Sequence, residues 1–113
     1  MAAKRILLEV GTGNDWHGGS YTKAAVRAVE DAIHHSSLIL LKTLDLDPGK
    51  MLVDVKIGVQ QPEKVDAAAV KAVLPHGQIT VEVVKGGLNA ANTGPDDISI
   101  IAVAAITVHL DLA

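Results

Sequence analysis

The stretch from Asp97 to Leu110 constrains the fold of this chain more than any other. Its residues alternate, yet both sides are apolar: Ile98, Ile100, Ala102, Ala104, Ile106 and Val108 fall to one face, and Ile101, Val103 and Ala105 to the other. A period of two predicts a β-strand, and a strand that is apolar on both faces needs cover on both.

The remaining elements follow from the same kind of pattern. Arg5 to Val10 is an aliphatic run that Gly11 is expected to end. Met51 to Val59 and Gln78 to Val84 alternate, with Val53, Val55, Ile57 and Val59 on one side of the first and Ile79, Val81 and Val83 on one side of the second. From Thr22 to about Leu41 the spacing is helical, with Ala25, Val29, Ala32, Ile33 and Ser36 inward and Ser20 or Thr22 as N-cap. Pro62 to Leu74 predicts a second helix, stopped by Pro75-His76-Gly77. Asp45 to Lys50 predicts a turn, and Lys85 to Pro95 an irregular loop. The expected order is β-α-β-α-β-β in one domain, residues 1–113. This is an α/β sandwich with two helices on one face of a mixed four-stranded sheet. Two helices cover one side only, so the outer side of the last strand calls for a second subunit or a fold-back of the long loop; a second subunit, and hence a homo-oligomer, is expected.

Composition narrows the functional classes. With 10 Lys and Arg against 13 Asp and Glu the net charge is −3, which offers no basic surface for a nucleic-acid backbone. One Trp, one Tyr and no Phe leave no stacking platform for single strands. Without Cys there is no disulfide, thiolate catalysis or Cys-type zinc site. No apolar run approaches the ~20 residues that span a bilayer, and the N-terminus lacks a signal-peptide pattern, so a cytoplasmic protein without membrane contact is expected.

One segment carries chemistry: Gly11-Thr12-Gly13-Asn14-Asp15-Trp16-His17-Gly18-Gly19. Asp15 and His17 are spaced i, i+2, which in an extended loop projects both side chains to one side. A carboxylate and an imidazole so placed can act as an acid–base pair or hold a divalent metal. Gly11, Gly13, Gly18 and Gly19 would let a ligand approach the backbone, and the following helix start favours an anion. Asp96 and Asp97, ahead of the last strand, are candidates to join the ligand site. His34 is a candidate third metal ligand, although it sits roughly 18 Å along the helix and would come from a neighbouring subunit. Trp16 stands where a dinucleotide fingerprint needs Gly, and no Gly-Lys-Ser/Thr follows, so neither common phosphate-loop motif is present. The leading reading is a small-molecule-binding protein or enzyme with its site at this loop, at a subunit interface; the competing reading is an oligomeric module without catalysis, using the loop for packing or for binding a small anion.

Gly11, Gly13, Asp15, His17 and Gly18 match the motif G-x-G-x-D-x-H-G, and in this the chain resembles a family of conserved hypothetical proteins of unassigned function. The resemblance continues through Thr22 to His35, Val55 to Val59, Val70 to Gly77, Val81 to Leu88 and Asp96 to Ile98. It implies a shared fold and a shared site at the loop, and no activity. The element order is also similar to the chorismate-mutase and YjgF-like folds, which implies a trimer with ligand pockets between subunits. Fold likeness does not carry their activities. The Asp-x-His after a first strand resembles the metal-binding start of methylerythritol cyclodiphosphate synthases, over those few residues only.

Overall fold

The computed structural model describes residues 3–17, 19–34, 51–74, 77–91, 94 and 97–111. Strand β1 spans Ala3–Asp15, helix α1 Tyr21–His34, strand β2 Met51–Val59, helix α2 Ala67–Lys71, strand β3 Gln78–Lys85, strand β4 Leu88–Ala91 and strand β5 Ile98–Asp111. A 3-10 turn, Pro62–Lys64, precedes α2. The expected turn over 45–50, the helical stretch beyond His34, and His35 and His76 lie outside the described residues.

The strands form one mixed sheet in the order β1-β5-β2-β3. Strand β5 is antiparallel to β1 and β2, and β3 is parallel to β2. Strands β1, β2 and β3 therefore run the same way and end at the same edge of the sheet. The sheet has five strands where four are expected. Strand β5 outruns β2, whose last partner on it is Gly58 opposite Val103. Unpaired backbone groups at Ile98–Ile101 then recruit Leu88–Ala91 as β4. The crossing from β3 to β4 is tight. The Gly86 amide donates to the Val59 carbonyl at 2.9 Å, and the Gln60 side-chain amide donates to the carbonyls of Gly86 and Gly87. Gly87 has a φ of 61°, and a Cβ there would strike the Ile101 carbonyl oxygen, so only glycine fits.

Both helices lie on one face of the sheet. Their buried partners include Val53, Val55, Ile57 and Val59 of β2 and Ile100, Ala102, Ala104, Ile106 and Val108 of β5. The alternation in the sequence therefore identifies the inner face of both strands. Along α1 the buried residues are Tyr21, Ala24, Ala25, Ala28, Val29 and Ala32. The predicted inward residues Ala25, Val29 and Ala32 are among them, and the stripe Ala24-Ala28-Ala32 is what faces β1.

Two expectations change. First, the strand does not end at Gly11: β1 continues to Asp15, paired along β5 from Gly11 opposite Ala104 to Asp15 opposite Ile100. Gly11, Gly13 and Asp15 alternate onto the inner face and are all buried. A Cβ at Gly11 would overlap the Ala32 amide and the Ala28 carbonyl, and one at Gly13 the Ala28 amide and the Ala24 carbonyl. The two glycines and the alanine stripe let helix and strand backbones touch, which is a packing role. Second, the helix over 62–74 is broken. Asp66 accepts from the amides of Ala68 at 3.0 Å and Ala69 at 3.4 Å, capping a new helix start and confining α2 to five residues. Helical spacing over 62–74 would turn Val65, Ala69, Ala72 and Val73 inward; instead Ala72 is exposed, the other three are half-buried, and the buried residues are Val70 and Leu74.

Candidate functional site

Because β1, β2 and β3 end at one edge, the segments that follow them gather there. They are Trp16, His17 and Gly19 after β1, residues 60–64 after β2 and the Gly86-Gly87 crossing after β3, joined by the entry to β5. Carboxyl ends of strands that run the same way are where open α/β sheets commonly place ligands.

Asp15 turns inward and is 6 % exposed. One carboxylate oxygen accepts from the Ser20 amide at 2.7 Å, and the other lies 3.5 Å from the Arg27 guanidinium, whose stronger bond, at 2.6 Å, is to the Asn14 carbonyl. Ser20 in turn caps α1, its hydroxyl accepting from the Lys23 amide at 3.2 Å. Asp15 therefore ties the end of β1 to the start of α1. Two amides at the helix start are already engaged by protein oxygens, which weakens that end of α1 as an anion site.

His17 goes elsewhere. The strand ends at Asp15, so the alternation expected to align the two side chains does not extend past it. Residues 16 and 17 lie in a bend. The Nδ1 of His17 lies 2.8 Å from a carboxylate oxygen of Asp97. An ionised carboxylate only accepts, so Nδ1 carries the hydrogen and Nε2 is the nitrogen left to meet a ligand. The expected Asp15–His17 pair is replaced by His17–Asp97. The Ser99 hydroxyl donates to the Trp16 carbonyl at 3.0 Å and holds the bend against the start of β5, which fixes Asp97 beside the imidazole.

Beside this pair lies a cleft of about 300 Å³, lined by His17, Gly19, Tyr21, Gln61, Lys64, Ile98 and Ile100. That volume is at the lower end for small-molecule sites. The wall opposite β5 is the turn 61–64, anchored on α1: the Thr22 hydroxyl donates to the Lys64 carbonyl at 3.4 Å and accepts from the Asp66 amide at 2.9 Å. Tyr21 is buried with its hydroxyl accepting from Asn89 of β4 at 2.7 Å, and the Lys64 ammonium stands 5.8 Å from the centre of its ring.

The predicted site residues are thus distributed unevenly. His17 and Gly19 line the cleft, and Asp97 holds His17 beside it. Gly11, Gly13 and Asp15 lie under α1, away from its lining. His34 closes the far end of α1 and is exposed, and Gly18 and Asp96 lie outside the described residues. No three metal-ligating side chains converge among the described residues. Lys64, Gln61 and Tyr21 escaped the sequence reading. The available signal was topological: two strands running the same way bring the segments after Val59 and after Asp15 to one edge.

The sequence pattern described as "Conserved hypothetical protein (Lin0512_fam)" matches residues 5–108. The crystal structure of an FtsZ-like protein of unknown function from Nostoc punctiforme PCC 73102 is similar to this chain. It is 37 % identical, covers 98 % of each chain and superposes with a TM-score of 0.83. A comparison with curated proteins finds no match. Among the described residues, no helix is long and apolar enough to cross a membrane.

Proposed function

The chain belongs to the Lin0512 family of conserved hypothetical proteins, and on that premise we propose that it binds a small molecule in the cleft beside His17. The His17–Asp97 pair serves there as an acid–base dyad. The observation that carries this reading is the 2.8 Å bond from Nδ1 to Asp97. It orients the imidazole and leaves Nε2 as the nitrogen that meets a ligand at the cleft. Asp97 takes the part first expected of Asp15, and Asp15 keeps the loop in shape. The dyad supplies two donors, so a divalent metal there would need further ligands, and elemental analysis of the purified protein checks for one.

A thermal-shift screen of small metabolites against wild type and His17→Ala tests the proposal. Compounds that raise the Tm of wild type and leave that of a folded His17→Ala variant unmoved support it. A screen in which every hit stabilises both proteins equally overturns it.

The open sheet face supports a second element, self-association. Leu8 and Val10 of β1 and Val103 of β5 are 49 %, 61 % and 38 % exposed on the side without helices. Beside them, Asp54, Lys56, Glu82 and His109 line a hollow of about 370 Å³ between the strands. Acidic and basic groups on one patch make it complementary to itself, so a second copy related by a twofold axis is the partner we propose.

A further inference from the structure

Resting on the cleft reading above, we infer that the ligand is a small oxyanion, a carboxylate or a phosphate, held at one end by Lys64. Among the described residues that line the cleft, Lys64 is a cation and none is a carboxylate, the Asp97 carboxylate being engaged by His17 beside it. Lys64 forms no ion pair with a carboxylate among the described residues, and its charge is supported by the face of the buried Tyr21 ring at 5.8 Å. In a chain of net charge −3, a cation that lines a cleft and pairs with no carboxylate among the described residues selects for an anionic guest. Lys64 is also held in place. Its amide donates to the Gln61 carbonyl at 3.1 Å and its carbonyl accepts from Thr22, so the turn that carries it cannot drift from α1. Ile98 and Ile100 offer the rest of the guest an apolar wall, and the Gln61 side chain a hydrogen-bonding amide. About 300 Å³ is the volume of roughly ten waters, which restricts the guest to a small metabolite. The anion is drawn by Lys64, because the helix start beside it is already occupied by Asp15 and Ser20.

NMR titration of the folded protein with sodium acetate, inorganic phosphate and neutral acetamide at matched ionic strength tests this, in wild type, Lys64→Gln and Lys64→Arg. The expected result is that an anion shifts the Gly19 and Lys64 amides and acetamide does not. Lys64→Gln should weaken the anion about tenfold or more, with Lys64→Arg retaining most of the affinity. The relative strength of acetate and phosphate distinguishes the two sources of the charge. Anion shifts unchanged in Lys64→Gln, acetamide binding as well as acetate, or no shift with any probe would each overturn the inference. Acetamide binding that moves the His17 ring overturns the anion and leaves the dyad. Anion binding that leaves the His17 ring unmoved has the opposite meaning.

Discussion

The imidazole of His17 and the carboxylate of Asp97 meet at 2.8 Å although 80 residues separate them in the chain. One comes from the bend after the first strand and the other from the entry to the last. The antiparallel register of β1 on β5 makes the contact, since Asp15 opposite Ile100 places the bend beside Asp97.

The first prediction concerns the imidazole itself. Neutral His17 is expected as the Nδ1–H tautomer, because its hydrogen points at a carboxylate. Long-range ¹H–¹⁵N NMR should show this form in wild type and a return to the commoner Nε2–H form in Asp97→Ala. Stability should change by less than about 1 kcal/mol, because the His17 side chain is 70 % exposed. A wild-type spectrum dominated by Nε2–H would contradict the pairing.

Asp15 behaves differently. Asp15→Ala removes the acceptor of a part-buried amide, at a cost of about 2 kcal/mol. Asp15→Asn keeps an oxygen for Ser20 and should recover most of that loss. Urea unfolding of the pair measures it, and equal losses in both variants would mean that charge, rather than the cap, is what Asp15 supplies.

Contact between the β1 and α1 backbones predicts intolerance of a single methyl group. Gly13→Ala would overlap the Ala28 amide and the Ala24 carbonyl, and should destabilise by about 3 kcal/mol. That corresponds to a fall in Tm on the order of 10 °C. Gly94→Ala, with nothing within 4 Å of the new Cβ, is the control and should shift stability by less than about 0.5 kcal/mol. Similar Tm values for the two variants would refute the packing role.

Self-association is checked by sedimentation equilibrium. Wild type should sediment as a dimer or larger and Val10→Lys as a monomer, since a charge would then sit in the apolar part of the open face. A wild type that is monomeric at micromolar concentration removes the proposed partner.

Local pattern alone determined the inner faces of β2 and β5, the start of α1 to within Ser20 or Thr22 and the mixed helix-on-sheet architecture, because alternation and capping depend on neighbours in the chain. The same physics misplaced the end of β1. Glycines at 11 and 13 read as a loop, whereas their spacing of two is what an alanine-faced helix requires of the strand beneath it. Strand β4 was hidden for a similar reason: it exists because β5 is longer than β2, a relation between distant segments. Asp15 and His17 were recognised as residues that matter, but which carboxylate the imidazole meets depends on register across the sheet. Lys64 gave no local sign at all. Its place beside Tyr21 follows from two strands running the same way and ending at one edge, and only the assembled sheet decides that.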